Sequence, residues 1–218
     1  MAAHFLVIGA TGPSGLAFCE AALEAGHQIT IYARNPAKIP TEITDQAKVD
    51  VVKGQLDDEA ALKRAVGAGA SVFVSFAGPV ASNKGTPVTD SMKILFPLLI
   101  AARYERAFIL GTVSWTAPQD QPALKWKAMV GMVKLVGGSA YEECNGLGAF
   151  VGSTDINQLN WTLFRVPLLG NGETKPVKAS FGGSGQDGLF LTRRSIADWI
   201  LQEMQEKKWV GKAPMLCN

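Results

Sequence analysis

Residues 5–8 form a short unbroken apolar run that stops at Gly9. A run of that length bounded by glycine predicts a strand buried on both faces. Leu16, Cys19 and Leu23 then recur at helical spacing up to Gly26, which reads as a C-terminal cap. Residues 28–33 alternate and are rich in β-formers, giving a second strand. Residues 48–53 give a third, closed by Gly54-Gln55-Leu56. Asp57-Asp58-Glu59 opens a helix running through Leu62 and Val66, with its acids at the positive end of the helix dipole. Gly69 leads into a fourth strand, 71–76, which ends at Ala77-Gly78-Pro79. A long helical stretch over 89–103 is expected to bend or restart near Pro97. The fifth strand, 107–110, runs out into Gly111-Thr112-Val113-Ser114-Trp115.

Five β–α alternations with short connections specify an α/β fold, a doubly wound parallel sheet with helices on both faces. Ligands of such sheets lie at the carboxyl ends of the strands, so Gly9, Arg34, Gln55, Ala77 and Thr112 are expected on one rim. The second part of the chain is less regular. A polar, proline-containing loop over 116–122 precedes an apolar helix over 123–136 that carries Trp126, Met129, Met132 and Val133. Gly137-Gly138-Ser139 breaks it before another helix, about 140–151. Residues 161–166 predict a sixth strand, followed by Pro167 and a glycine-rich loop. Residues 172–189 read as a flap over a site, and Ser195 as the cap of a last amphipathic helix carrying Ile196, Trp199, Ile200 and Met204.

Composition narrows the function classes. The 218 residues suit one domain, 1–218, in which 115–150 and 168–192 contribute a small substrate lid. With 18% charged residues and a net charge of +2, the chain lacks the basic excess of a nucleic-acid binder. The first strand begins within a few residues, leaving no room for a signal peptide. The longest apolar stretch, 94–102, is too short to span a bilayer, so no membrane partner is expected. Cys19, Cys144 and Cys217 are far apart and give no metal-ligand spacing, and a cytoplasmic location follows as the simplest expectation. His4 and His27 are expected to be structural.

The chemistry concentrates in the first turn. Gly9, Gly12 and Gly15 sit between a buried strand and a helix, with Pro13 at the first helical position. Free amides and the positive dipole end suit a pyrophosphate there, and glycine allows close backbone approach. A glycine turn that binds nothing is the plainer reading. The second strand sharpens the choice. Dinucleotide sites place an acid near its end to hold a ribose hydroxyl, yet no acidic residue occurs between Glu24 and Glu42. Arg34 stands there instead, with Lys38 as a second cation, which favours NADP(H) over NAD through a bidentate guanidinium–phosphate contact.

With those residues on the page, the chain resembles the NmrA-like, atypical short-chain dehydrogenase/reductase group, which includes small biliverdin-IXβ/flavin reductases. The likeness rests on Gly9-Ala-Thr-Gly-Pro-Ser-Gly15, Tyr32-Ala-Arg-Asn-Pro36, Trp161-Thr-Leu-Phe-Arg-Val-Pro167 and Thr192-Arg-Arg-Ser-Ile-Ala-Asp198. It implies one NADP-binding, Rossmann-like domain with a substrate lid and no metal. On these positions the resemblance puts Gly9, Thr11, Gly12, Pro13, Ser14 and Gly15 on the pyrophosphate and Arg34 on the 2′-phosphate. Gln55 and Leu56 would abut the adenine, Ala77 and Gly78 would pass beneath the nicotinamide ribose, and Thr112 and Val166 would flank the nicotinamide. Gln55 departs from the usual aspartate.

Catalysis departs further. The Tyr-x-x-x-Lys pair common in short-chain dehydrogenases is absent, because the residues four positions after the three tyrosines are Pro36, Phe108 and Asn145. Tyr141 falls where the family's tyrosine stands, without a cation at Asn145. Ser114 is placed to hydrogen-bond a substrate carbonyl, as is Thr112. Trp115, Trp126, Phe150 and Phe181 are candidates to line an apolar pocket for a flat or aromatic small molecule, while Glu142 and Glu143 read as solvated helix charges. The expected activity is NADPH-dependent hydride transfer to a carbonyl, flavin or conjugated acceptor. An NADP-binding regulator without turnover, or an isomerase or cyclase on the same fold, are the alternatives.

Overall fold

The apolar strand at the start of the chain has both its faces covered. In the computed structural model, which describes residues 2–79 and 85–218, β1 (His4–Ile8) lies inside an eight-stranded sheet. Phe5 and Val7 enter a core with Phe18, Ile29, Ile31 and Trp199. Leu6 and Ile8 enter another with Leu62, Phe73, Leu95 and Leu163. This two-sided burial is why residues 5–8 of the strand are apolar at every position instead of every second one.

The sheet order is β3 (Val49–Lys53), β2 (Gln28–Ala33), β1, β4 (Val72–Ser75), β5 (Arg106–Thr112), β6 (Trp161–Val166), β10 (Met215–Cys217) and β8 (Lys178–Ser180). Pairing is parallel from β3 through to β10, and β8 closes the far edge antiparallel. Two more short strands, β7 (Leu168–Gly170) and β9 (Phe190–Thr192), pair separately. Helices α1 (Pro13–Glu24) and α6 (Arg193–Glu206) cover one face, with a single turn, α2 (Thr41–Thr44), beside them. On the other face lie α3 (Glu59–Val66), α4 (Pro87–Ala101) and the second half of α5 (Leu124–Gly152). The chain runs outward from β1 in both directions, so a crevice opens between the ends of β1 and β4, the switch point where α/β sheets bind ligands.

Several elements differ from the sequence expectation, each for a physical reason. Helix α4 does not restart at Pro97 but runs through it. Pro97 and Lys93 are both exposed, so the Lys93 carbonyl that loses its partner is open to water. Helix α5 does break where expected, at Gly138, with φ 30° and ψ −99°. Ser195 is not the cap of α6. Thr192 occupies that position, and the Ser195 hydroxyl instead accepts from the Lys175 amide (2.9 Å) and Asn218 Nδ2 (2.7 Å). Residues 172–189 are stitched down, not free as a flap, with β8 in the main sheet and the Gly182 amide donating to Asp120 (2.7 Å). His27 Nδ1 accepts from the Ala3 amide (2.9 Å), and His4 Nε2 meets Thr30 Oγ1 (2.8 Å).

Candidate functional site

The turn after β1 is shaped by steric necessity. Gly9 has φ +84°, and a Cβ there would lie 2.6 Å from the Phe76 carbonyl carbon and 2.7 Å from the Ala77 nitrogen. The chain leaving β4 therefore passes directly against it. A Cβ on Gly15 would collide with the Gly9 carbonyl, so helix and strand are pressed together. The Gly12 amide donates to that carbonyl (3.1 Å), and Gly12 is the N-cap of α1 with Pro13 behind it. No side chain caps this helix, and its first turn carries no acid. The amides of Ser14 and Gly15 thus face outward without a helical partner, beside the Thr11 and Ser14 hydroxyls. Gly78 leaves open space where a side chain would stand, and a Cβ on Gly12 would reach ordinary contact, 3.5 Å, with the Gly9 carbonyl oxygen. These residues fit the diphosphate of a dinucleotide, which needs donors, a dipole and room.

The strand register brings the remaining rim residues into line. Ile8 pairs with Tyr32 and with Ser75, and Ala33 pairs with Lys53, so Gly9, Arg34, Gln55 and Ala77 leave the sheet at one level. Arg34 and Lys38 are exposed and have no ion-pair partner among the described residues. The Tyr32 hydroxyl donates to the Gln55 carbonyl (2.6 Å) and holds that turn in place, while burial pushes the phenol up to about 12. Leu56, half-buried, packs on the core beside it. Asp58, the nearest acid with a defined task, caps α3 by accepting from the Ala61 amide (2.9 Å).

At the end of β5, Thr112 pairs in register with Val166 of β6. The Thr112 hydroxyl accepts from the Ser114 amide (3.2 Å) and bonds the Cys144 thiol, whose ionisation burial pushes up. The Ser114 residue is largely buried, but its hydroxyl has no protein partner among the described residues. Tyr141 lies one turn before Cys144 on the same side of α5. The helix descends from the rim, its far end meeting the start of β6 where Trp161 Nε1 donates to the Thr154 carbonyl (2.9 Å). Tyr141 is therefore on the rim side of Thr112. The sequence showed no cation for it, yet Lys134 reaches across the Gly138 break to 5.6 Å from the centre of its ring.

Next to Thr112 and Ser114, a cavity of about 270 Å³ is lined by Val113, Asp120, Trp126, Val130, Arg165 and Met215, with Lys127 at its edge. Its floor is a forked ion pair. Arg165 meets Asp120 at 2.5 and 2.7 Å and also donates to the Ala213 carbonyl (2.9 Å). Burial raises the Asp120 carboxyl, but the hydrogen bonds and charge of Arg165, with the Ala117 and Gly182 amides, outweigh it and hold it below its ordinary value. One wall is fixed by Asp187, which accepts from Trp126 Nε1, the Gly183 amide (2.6 Å) and the Gly185 amide (3.0 Å). Burial raises its carboxyl, but the Trp126 and Gly183 bonds, with the Lys125 ammonium, outweigh that and bring it down to about 2.

Of the four aromatic candidates, Trp126 alone lines this cavity. Trp115 lies along Gly148 and Gly152 of α5, Phe150 packs on Phe96 (5.1 Å), and Phe181 meets Trp209 edge-on (5.3 Å). Glu143 also corrects the sequence reading. It is buried, not solvated, and its carboxylate accepts from the Val88 and Thr89 amides (2.8 and 2.7 Å), capping α4 from outside. Sequence reasoning missed Asp120, Arg165 and Met215. The signal for Arg165 was available: a guanidinium in a strand otherwise fit for full burial requires a partner. Among the described residues, no cluster of three or more His, Cys, Asp or Glu could hold a metal, and no helix is long and apolar enough to cross a membrane.

Comparison with known proteins agrees with this geometry. No functionally curated protein matches the chain in sequence. Solved structures match closely in shape. A short-chain dehydrogenase/reductase from Veillonella parvula superposes with a TM-score of 0.80 at 18% identity, covering 100% of this chain and 95% of that one. The oxidoreductase ylbE from Lactococcus lactis gives 0.76 at 17%, covering 99% and 90%. ChuY, an anaerobillin reductase from Escherichia coli O157:H7, gives 0.74 at 17%, covering 98% and 96%. At these identities the likeness is one of fold. The model of the NAD(P)H-binding family matches residues 9–207, from the first glycine of the turn to just beyond α6. The chain belongs to the NAD(P)H-binding family.

Proposed function

We propose that this protein is an NADPH-dependent reductase that delivers hydride to a carbonyl, flavin or conjugated acceptor of apolar, aromatic character. The observation that carries the reading is the pairing of an amide-lined glycine turn with two unpaired cations, Arg34 and Lys38, where a ribose-binding acid would otherwise stand. The bound cofactor supplies the hydride; the protein supplies placement and hydrogen bonds. The amides of residues 12–15, with Thr11 and Ser14, hold the diphosphate, and Arg34 forks onto the 2′-phosphate with Lys38 behind it. Gln55 and Leu56 border the adenine. Ala77 and Gly78 run under the ribose, and Thr112 and Val166 bound the nicotinamide. The acceptor sits in the cavity beside Val113, where the free Ser114 hydroxyl donates to its oxygen and Tyr141 offers a second donor from above.

In this reading residues 1–218 act as one unit, with 115–150 and 168–192 around the acceptor. The three cysteines are buried and unpaired, which suits a reducing compartment such as the cytoplasm. Calorimetry with NADPH and NADH tests the cofactor assignment. Arg34→Ala should weaken NADPH at least about tenfold, the loss expected for charge-assisted bonds, and leave NADH unchanged. Equal loss for both would refute it. An acceptor panel of quinones, flavins and aldehydes, followed by nicotinamide absorbance, tests turnover, which Ser114→Ala should slow. Tight NADPH binding without turnover of any acceptor would instead support a cofactor-sensing regulator.

A further inference from the structure

The first half of α5, residues 124–137, is apolar on the side facing the protein and on the side facing away from it. Trp126, Met129 and Val130 pack inward, where Trp126 and Val130 wall the cavity, and Val133, half-buried, follows on the same side. Outward lie Leu124 (83% exposed), Leu135 (89%) and Met132 (60%). Residues along an α-helix step by about 100°, which puts Leu124, Ala128, Gly131 and Leu135 within roughly 60° of one another, on a single outer stripe. Large exposed side chains concentrated on one stripe mark a contact surface, unlike scattered single ones.

The charges flanking this stripe identify the partner. By the same stepping of about 100°, Met132 and Lys125 follow on one side of the stripe, while Lys127 and Lys134 border it on the other. Residues 124–141 contain these three lysines and no acid; the first carboxyl is Glu142. Lys125 also opens onto a hollow of about 560 Å³ that it shares with Lys175 and Lys178. The acid there, Asp187, is engaged by Lys125 and by the Trp126 and loop N–H groups. An apolar centre between cationic borders is the pattern of a helix lying in the plane of a bilayer, its lysines reaching up to the headgroups. A second copy of this chain would set lysine against lysine with no acid to neutralise them.

We propose that this face of α5 docks on an anionic lipid surface, with Leu124, Met132 and Leu135 entering the acyl boundary and Lys127 and Lys134 meeting the headgroups. Interrupted at Gly138, this half of α5 is not long and apolar enough to span, so the contact is peripheral. It sets a bilayer on the outer side of the helix whose inner side walls the cavity, so an apolar acceptor dissolved in lipid is about one helix diameter, roughly 10 Å, from the site. The docking does not depend on the reductase reading and is measured without cofactor.

The test is vesicle flotation of the full chain. Phosphatidylcholine vesicles containing phosphatidylserine should carry the protein up, phosphatidylcholine alone should not, and added salt should release it. Leu135→Glu should abolish flotation while its melting curve and NADPH calorimetry stay as in the unsubstituted protein. Lys127→Gln with Lys134→Gln should weaken partitioning by about 25-fold, roughly fivefold for each lysine. No preference for phosphatidylserine, or flotation that survives Leu135→Glu, would overturn the proposal. So would a dimer in sedimentation velocity that Leu135→Glu dissociates, because the stripe would then be covered by a second copy.

Discussion

Replacing Glu143 by alanine isolates one buried interaction whose size can be worked out from its geometry. Helix α4 begins at Pro87, so the amides of Val88 and Thr89 are among its orphan donors. Glu143, 2% exposed, answers both from α5, at 2.8 and 2.7 Å, and the Thr89 hydroxyl adds a third bond at 2.5 Å. Alanine leaves two N–H groups buried without an acceptor, each costing about 1–3 kcal/mol. It also removes a negative group from the positive end of a helix, worth up to ~2 kcal/mol when partly buried. Water entering the vacated space offsets part of this, for a net loss of about 3 kcal/mol. In a chain of this size that lowers the melting temperature by roughly 6–12 °C. Glutamine, which keeps one acceptor oxygen in place, should lose about half as much. Thermal scans by circular dichroism measure both. An alanine variant melting within about 2 °C of the parent would refute the reasoning, since a shift that small leaves under about 1 kcal/mol for the whole cap.

Gly9→Ala should lower the urea midpoint by the equivalent of about 1–3 kcal/mol, because it strains a left-handed residue against the Phe76–Ala77 backbone. Gly78→Ala meets nothing within 4 Å and should melt normally, yet weaken NADPH in calorimetry by filling the space left for the cofactor. Asp120→Ala strands the buried Arg165 guanidinium and should cost about 3–5 kcal/mol in denaturant titration, much of it recovered in an Asp120→Leu, Arg165→Met double variant. Asp187, brought down to about 2, contributes stability that is complete above the unfolded aspartate's value of about 4 and is lost as pH falls towards 2. Melting temperature followed from neutral pH through that window should show the loss, about 2 kcal/mol in all, and Asp187→Asn should flatten that part of the profile.

The central strands could be read from the residues because β1, β2, β4 and β5 are covered on both faces and so are mostly apolar. The limits of β2 and β6 coincide with those expected from their runs, and the break at Gly138 follows from two adjacent glycines. Strand β10 escaped because three residues show no period, and its place depends on pairing with β6 far upstream. The glycine-turn rim was legible as a motif because its turn is local. The cavity beside Val113 was not, since Asp120, Arg165 and Met215 come from three separate parts of the chain. Glu143 carried a signal that could have been used: it shares the helical stripe of Leu147 and Val151, both buried. Position alone could not say that α4 would begin opposite it.

Strand β10 also has a consequence for the order in which the molecule assembles. The strands from β1 to β5, which carry the glycine-turn rim, are joined by short connections, with α6 packing on them from downstream. The cavity waits for residues far downstream: the Arg165 amide donates to the Pro214 carbonyl (2.8 Å), its side chain to the Ala213 carbonyl, and Met215 completes the lining. A growing chain therefore makes its glycine turn before it can close the cavity. A chain cut short of residue 213 would keep that turn but leave Arg165 and Asp120 without the backbone that seals them from water.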